Sequence, residues 1–211
     1  MNDATTVSAK PSTLSERGLF NVPNQLTIAR LVLALICFVA LVAAWYGTAL
    51  VLFLLAVGTD WIDGFWARRY GQITQLGRIL DPFADKIVIC GTFIFLAAVP
   101  QSRIAAWMAV LIVARELLVT GLRSFFEQQD IDFSAQWSGK WKMAFQCLAA
   151  GLSLYLLTYY DPKAEAWHTM APGWLVIAVI ASVWLAVLST IYSGWVYVRR
   201  AWQLLVRLAD G

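Results

Sequence analysis

Residues 31–59 contain no Asp, Glu, Lys, Arg or His, and neither do residues 143–160; residues 166–198 contain only His168. A helix needs about 20 consecutive apolar residues to cross a bilayer core, and each of these stretches approaches or exceeds that length. The whole chain agrees with them. It is 60% hydrophobic and 14% charged, whereas a soluble domain carries roughly 25% charged residues. An ordinary soluble domain and a disordered chain are both excluded, and an integral membrane protein is expected. The run from residue 31 is too long for a signal peptide, and Trp45, Tyr46 and Gly47 interrupt it where small-residue cleavage would be needed. Cys37, Cys90 and Cys147 are far apart in apolar segments, so they read as small buried hydrophobes with neither a disulfide framework nor zinc spacing.

The pattern predicts an all-α fold, a six-transmembrane-helix bundle with spans near 26–46, 49–68, 81–99, 104–124, 140–160 and 173–198. Residues 1–12 are polar and read as a flexible N-terminus. Residues 13–211 form a single membrane-embedded domain. Thr13 and Glu16 fit a capping box ahead of Leu14, Leu19 and Phe20, the pattern of a short N-terminal interfacial helix. Pro23 and Asn24 should then break the chain. A polar, basic stretch at 68–80 follows span two, and the tail 199–211, with Trp202, Leu205 and Leu208 at helical spacing, should lie along the interface. With backbone polarity satisfied inside helices, β structure has no place to form. If the N-terminus is inside, fourteen of the sixteen basic residues fall on the inner side, and only Arg103 and Lys163 fall outside. Both termini are therefore expected to be cytoplasmic.

The most informative segment is 60-DWIDGFWARRYGQITQLGRILDPFAD-85. An aspartate within a membrane helix costs about 2.5–3.5 kcal/mol even on lenient insertion scales, yet four occur here. Asp60, Asp63, Gly64, Ala67 and Arg68 follow i, i+3, i+4, i+7, i+8, one stripe of a helix. Asp81 and Asp85 share a face of the next. Two adjacent helices can thus aim four carboxylates at one point, where divalent cations would relieve their repulsion. Oxygen-only donors without His or Cys favour Mg²⁺ or Mn²⁺ over zinc. Gly64 and Ala67 remove bulk beside the acids, Arg68 adds a phosphate-sized donor fork, and Gly77 permits a tight turn or close helix approach. Trp61 and Trp66 fall off this stripe and should face lipid or a neighbouring helix.

Written D-x2-D-G-x2-A-R-x8-G-x3-D-x3-D, the segment resembles the signature of the CDP-alcohol phosphotransferase (CDP-alcohol phosphatidyltransferase class I) family at every fixed position: Asp60, Asp63, Gly64, Ala67, Arg68, Gly77, Asp81 and Asp85. The six-span layout is similar as well. The resemblance implies that Asp60, Asp63 and Asp81, bordered by Asp85, hold two divalent cations, and that Asp85 is the general base. It implies that Arg68 and the ions bind the pyrophosphate of a CDP-linked lipid, while Gly64, Ala67, Thr74 and Gly77 line the cytidine side. A homodimer is implied too, and no nucleic-acid partner is expected.

Three further segments bear on the acceptor: 23-PNQLTIAR-30, 115-RELLVTGLR-123 and 139-GKWK-142. Arg115 and Arg123 lie about two helical turns apart, and Lys140 enters from the neighbouring helix at the same level. Three cations around one cavity suit an acceptor that itself carries phosphate. The competing reading, inward-facing charge against lipid headgroups, weighs more on Lys142 than on Arg115, whose preceding run 104–114 is uncharged. These segments resemble the bacterial family members whose acceptor is sn-glycerol 3-phosphate. That resemblance implies transfer from CDP-diacylglycerol to sn-glycerol 3-phosphate, giving phosphatidylglycerophosphate and CMP in phospholipid biosynthesis. Arg115, Arg123 and Lys140 would hold the acceptor phosphate, Asp85 would activate its hydroxyl, Asn24 and Thr27 would face the nucleotide, and Glu116 would orient Arg115. The implied location is a bacterial inner (cytoplasmic) membrane, among membrane lipids, with the active site facing the cytoplasm.

Two alternatives remain at this level. A sister enzyme would use inositol phosphate, serine or a phosphatidyl lipid as acceptor, although serine and choline have no phosphate for the basic residues to bind. A divalent-cation transporter would place acids near the midplane of several helices, whereas these are expected at the cytoplasmic ends of two spans, beside Arg68. His168, in an outer loop, reads as solvated.

Overall fold

The structure, a computed structural model, describes residues 22–70, 75–129, 131, 133, 137–161, 166–167 and 171–209. Within that range the side chains at 22–24, 26, 60–70, 75–82, 137, 138, 140, 166, 167, 208 and 209 are outside the description. The expected interfacial helix at 13–20, Thr74 and His168 therefore lie outside the described residues, as do the side chains of Trp61 and Trp66.

Among the described residues six helices carry the fold: α1 (Val22–Val42), α2 (Tyr46–Tyr70), α3 (Gln75–Ala97), α4 (Ala106–Glu127), α5 (Trp137–Leu157) and α6 (Gly173–Ala209). A 3-10 turn at Pro100–Ser102 follows α3. The predicted all-α class is what is found, with one exception. In the α5–α6 connection, β1 (Tyr160–Asp161) pairs antiparallel with β2 (Ala166–Trp167). This minimal ladder forms in a loop, beyond the helices, where water can serve the unpaired backbone edges.

Helix boundaries differ from those predicted, for identifiable reasons. Pro23 and Asn24 do not break the chain but sit in the first turn of α1. A missing N–H costs nothing there, because first-turn N–H groups have no helical partner anyway. The run predicted as spans one and two breaks at 43–45, and Gly47 lies inside α2. The Ala44 N–H donates to the Leu41 carbonyl at 3.1 Å and the Trp45 N–H to the Ala40 carbonyl at 2.8 Å. Ala44 itself is left-handed at φ 57°, so a Schellman cap is made here with alanine where glycine is usual. The stretch 68–80 is largely helical: α2 continues to Tyr70 and α3 already begins at Gln75. Arg, Gln, Leu and Ile all tolerate a helix, and only residues 71–74 separate the two. The tail does not form a separate interfacial piece either. With no Gly or Pro from 195 to 209, α6 runs unbroken for 37 residues.

The core is made of small residues and aromatics. Ala34, Cys37, Ala40, Ala49, Ala56, Phe53, Phe93 and Leu154 are all buried, and small side chains let helices approach closely. The three cysteines are free, and the Cys37 thiol donates to the Ala49 carbonyl at 3.4 Å. Cys90 and Cys147 are only half-buried. Gly91 of α3 meets Phe38 of α1 so closely that a Cβ there would lie 2.2 Å from the Phe38 ring. A satellite core joins Val119 and Phe126 of α4, Phe133 of the following loop, and Tyr197 and Ala201 of α6.

The outer surface is apolar. Val32, Leu35, Val39, Leu54, Ile94, Val110, Leu117, Leu148, Ile177, Leu188 and Ile191 all face outward. Water does not support so continuous an apolar exterior on a stable monomer, whereas hydrocarbon does. Gly173–Arg207 is long and apolar enough to cross a membrane, and Thr27–Val42, Tyr46–Thr59 and Trp141–Leu157 are shorter apolar stretches.

Candidate active site

The acid signature is carried by α2 and α3, which pack together. Asp60 lies ten residues before the end of α2, and Asp85 ten after the start of α3; Asp63 and Asp81 lie seven and six from the same ends. With only four residues between the helices, the acids pair by depth, Asp60 with Asp85 and Asp63 with Asp81. At about 1.5 Å per residue they sit roughly 9–15 Å inside the helices, because both helices extend beyond their apolar runs. Gly64, Ala67 and Arg68 also lie on α2, and Gly77 lies in the first turn of α3. Gly77 is therefore a helical residue and makes no turn.

Asp85 is the acid whose side chain is described. Its carboxylate accepts a hydrogen bond from Arg30 Nη1 of α1 at 2.7 Å. Arg30 is 2% exposed and the Asp85 side chain 26%, so the arginine is the buried member of the pair, and a small opening adjoins the carboxylate. That opening is lined by Arg30, Ala56, Val57, Asp85, Val88, Ile89 and Met143. Thr27, one turn before Arg30, is also buried. Asn24 lies in the same helix, with its side chain outside the description.

A second cluster forms where α4, α5 and α6 meet. Arg115, Glu116 and Lys142 are all buried. Arg115 Nη1 donates to Glu116 Oε1 at 3.2 Å and Nη2 donates to Ser193 Oγ at 2.5 Å. The Arg115 guanidinium also lies over the Tyr197 ring, 5.4 Å from its centroid. Lys142 Nζ donates to the same Glu116 oxygen. The Nε atoms of Arg115 and Arg123 are buried without a hydrogen-bond partner. Lys86, next to Asp85, is within electrostatic reach of Glu116, Arg123 and Asp85. Met143 lines the Asp85 opening while the preceding residue, Lys142, holds Glu116, so the two clusters adjoin.

The expected basic trio is thus brought together only in part. Arg115 is part of this cluster, Arg123 is linked to it through its electrostatic reach to Lys86, and the Lys140 side chain lies outside the description. Lys142, for which lipid headgroups were the stronger competing reading, instead has an internal partner. Glu116, expected to orient Arg115, does hold it and also accepts from Lys142; three contributors were missed, Arg30 as the partner of Asp85, and Ser193 and Tyr197 as the supports of Arg115. The last two had a signal. Thr190, Ser193, Gly194 and Tyr197 follow i, i+3, i+4, i+7 within an apolar helix, the same stripe spacing as the acids.

The comparisons with known proteins give the family. The family model described as CDP-alcohol phosphatidyltransferase matches residues 20–195. The chain belongs to this family. The relatives are informative about its branch. A CDP-diacylglycerol--glycerol-3-phosphate 3-phosphatidyltransferase of Bacillus subtilis (strain 168) is 32% identical over 202 residues, covering 89% of this chain and 98% of that protein. The Escherichia coli (strain K12) protein of the same name is 29% identical over 189 residues, 86% of this chain and 95% of its own. A probable phosphatidylglycerophosphate synthase of Mycobacterium tuberculosis (strain CDC 1551 / Oshkosh) is 34% identical over 207 residues, 92% of this chain and 90% of its own.

CDP-alcohol phosphatidyltransferases generally depend on a divalent cation, and the donors present fit one. They are carboxylate oxygens at matched depth on two packed helices, the hard donor set that Mg²⁺ or Mn²⁺ prefers. Among the described side chains no group of three metal-ligating residues occurs. The fit therefore rests on the backbone placement of Asp60, Asp63 and Asp81 and on the partly exposed carboxylate of Asp85.

Proposed function

We propose that this protein transfers the phosphatidyl group of CDP-diacylglycerol to sn-glycerol 3-phosphate, giving phosphatidylglycerophosphate and CMP. Relatives of that name matching nearly the full chain support the reading. The observation that carries it to this acceptor is the buried Arg115–Glu116–Lys142 cluster beside Asp85, with donors of Arg115 and Arg123 left unused by the fold.

In this reading Asp60, Asp63, Asp81 and Asp85 would hold two divalent cations, Mg²⁺ or Mn²⁺, which would supply neutralising charge to the pyrophosphate and to the oxygens of the reacting phosphoryl group. Arg68 binds the same pyrophosphate through its donor fork. Gly64, Ala67, Thr74 and Gly77 line the cytidine side, and Asn24 and Thr27 approach it from α1. Arg115, Arg123 and Lys140 take the acceptor phosphate, and Lys142 stands beside them. The Asp85 carboxylate, aimed by Arg30, accepts the proton of the acceptor hydroxyl as its oxygen attacks phosphorus. The phosphoanhydride bond to CMP then breaks, and CMP leaves as a stabilised anion that needs no acid.

The same proposal places all six helices across a bacterial inner (cytoplasmic) membrane, with both termini and the active site on the cytoplasmic side. The skew of basic residues supports that orientation. The protein acts as a homodimer among its membrane lipids. Incubating the purified protein with CDP-diacylglycerol, sn-glycerol 3-phosphate and Mg²⁺ should yield CMP and phosphatidylglycerophosphate in equal amounts. CMP release without that lipid product would reject the reaction.

A further inference from the structure

The acceptor cluster contains a residue that an anion-binding site does not need. Glu116 sits among Arg115, Lys142 and, at longer range, Lys86. It is buried, and one of its oxygens accepts from both Arg115 and Lys142. Structural neutralisation of these cations is one account of it. Three observations go further. Arg115 has other anchors, the Ser193 hydroxyl and the Tyr197 ring. Its stem packs against α6 at Gly194, where an added Cβ would lie in ordinary contact with the Arg115 Cγ at 3.4 Å. The buried Nε atoms of Arg115 and Arg123 have no partner; buried donors left unpaired in this way cost free energy that an anion would recover.

We propose that Glu116 is a resident counter-anion of the acceptor site. It holds Arg115 and Lys142 while the site is empty and yields them to the incoming phosphate. It is a positioning and specificity residue for this site, and the proposal rests on the acceptor reading given above. Its effect is to make anion binding weaker and more selective. Inorganic phosphate, which gains only the contacts Glu116 gives up, is disfavoured. An acceptor that also presents a hydroxyl toward Asp85 keeps a net advantage.

The test uses the full-length protein in detergent with Mg²⁺ and measures inhibition of CMP release by inorganic phosphate. In Glu116→Gln the amide keeps the shape and an acceptor oxygen but loses the competing charge. Phosphate should then inhibit at about tenfold lower concentration, the scale of one charge-assisted contact. The turnover number with sn-glycerol 3-phosphate should fall while its KM does not rise. Glu116→Asp, one methylene shorter, reaches only one of the two cations and should move phosphate inhibition in the same direction by less; it supplies the answer if the glutamine variant does not fold. Phosphate inhibition unchanged or weakened in the folded variants makes Glu116 a structural neutraliser and overturns the proposal. Failure of the acceptor reading looks different: wild type would not use sn-glycerol 3-phosphate, whatever phosphate inhibition did.

Discussion

Arg30 on α1 and Asp85 on α3 are 55 residues apart in sequence and 2.7 Å apart in space. The hydrogen bond is charge-assisted and its donor is almost wholly buried, so the first helix fixes the direction in which the carboxylate of the third can work. Replacing Arg30 with methionine removes the buried donor from this pair. The loss of such a bond costs about 1.5–3 kcal/mol, which a lower thermal unfolding midpoint in detergent will report. Activity should fall with it, and Arg30→Lys should restore stability better than turnover, because lysine is a point donor.

Asp85→Asn should reduce transfer to below about 1% of wild type, the scale of losing a general base. Asparagine can still accept from Arg30, so the fold should survive. Circular dichroism and the CMP-release assay separate the two effects. Near-normal turnover in the folded variant would show that another group takes the proton.

Excess chelator should stop the reaction, and Mg²⁺ or Mn²⁺ should restore it. Asp60→Ala and Asp63→Ala should be impaired alike, since each removes one carboxylate from the same stripe. Sustained turnover in chelator, with no metal detected in the sample, would remove the two-cation proposal.

Arg123→Ala should lower efficiency with sn-glycerol 3-phosphate about tenfold or more, since a charge-assisted phosphate contact is worth about 1.5–3 kcal/mol. The KM for CDP-diacylglycerol should barely change, because its pyrophosphate is assigned to Arg68 and the metal site. Arg123→Lys should rescue in part. Equal impairment toward both substrates would make Arg123 structural.

The α1–α3 contact makes a prediction about stability. Gly91→Ala places a methyl 2.2 Å from the Phe38 ring, and overpacking of this kind costs about 1–3 kcal/mol. Phe38→Leu in the same chain should recover much of that loss.

The sequence made the acid stripe legible because helical periodicity needs only one segment: Asp60, Asp63, Gly64, Ala67 and Arg68 announce a shared face before any packing is known. It could not show how far α2 and α3 extend past their apolar runs, because Arg78 and Gln75 suit a helix as well as a loop. Arg30 stood out only as an inward-side charge and as the end of 23-PNQLTIAR-30, since its pairing with Asp85 depends on how α1 packs against α3. The same holds for Lys142 and Glu116, 26 residues apart, whose contact requires α4 and α5 to be neighbours. The polar stripe of α6 was visible in spacing, but its purpose appears only with Arg115 laid against Ser193 and Tyr197.

The central claim is the identity of the acceptor, and the most direct measurement is the rate of CMP release from CDP-diacylglycerol with a panel of alcohols at equal concentration. The panel should include sn-glycerol 3-phosphate, glycerol, serine, inositol and inositol phosphate. The account predicts the highest kcat/KM for sn-glycerol 3-phosphate, with plain glycerol a poor substrate because it offers nothing to Arg115, Arg123 and the neighbouring lysines. A higher kcat/KM for inositol phosphate or serine would keep the chain in its family and contradict the acceptor.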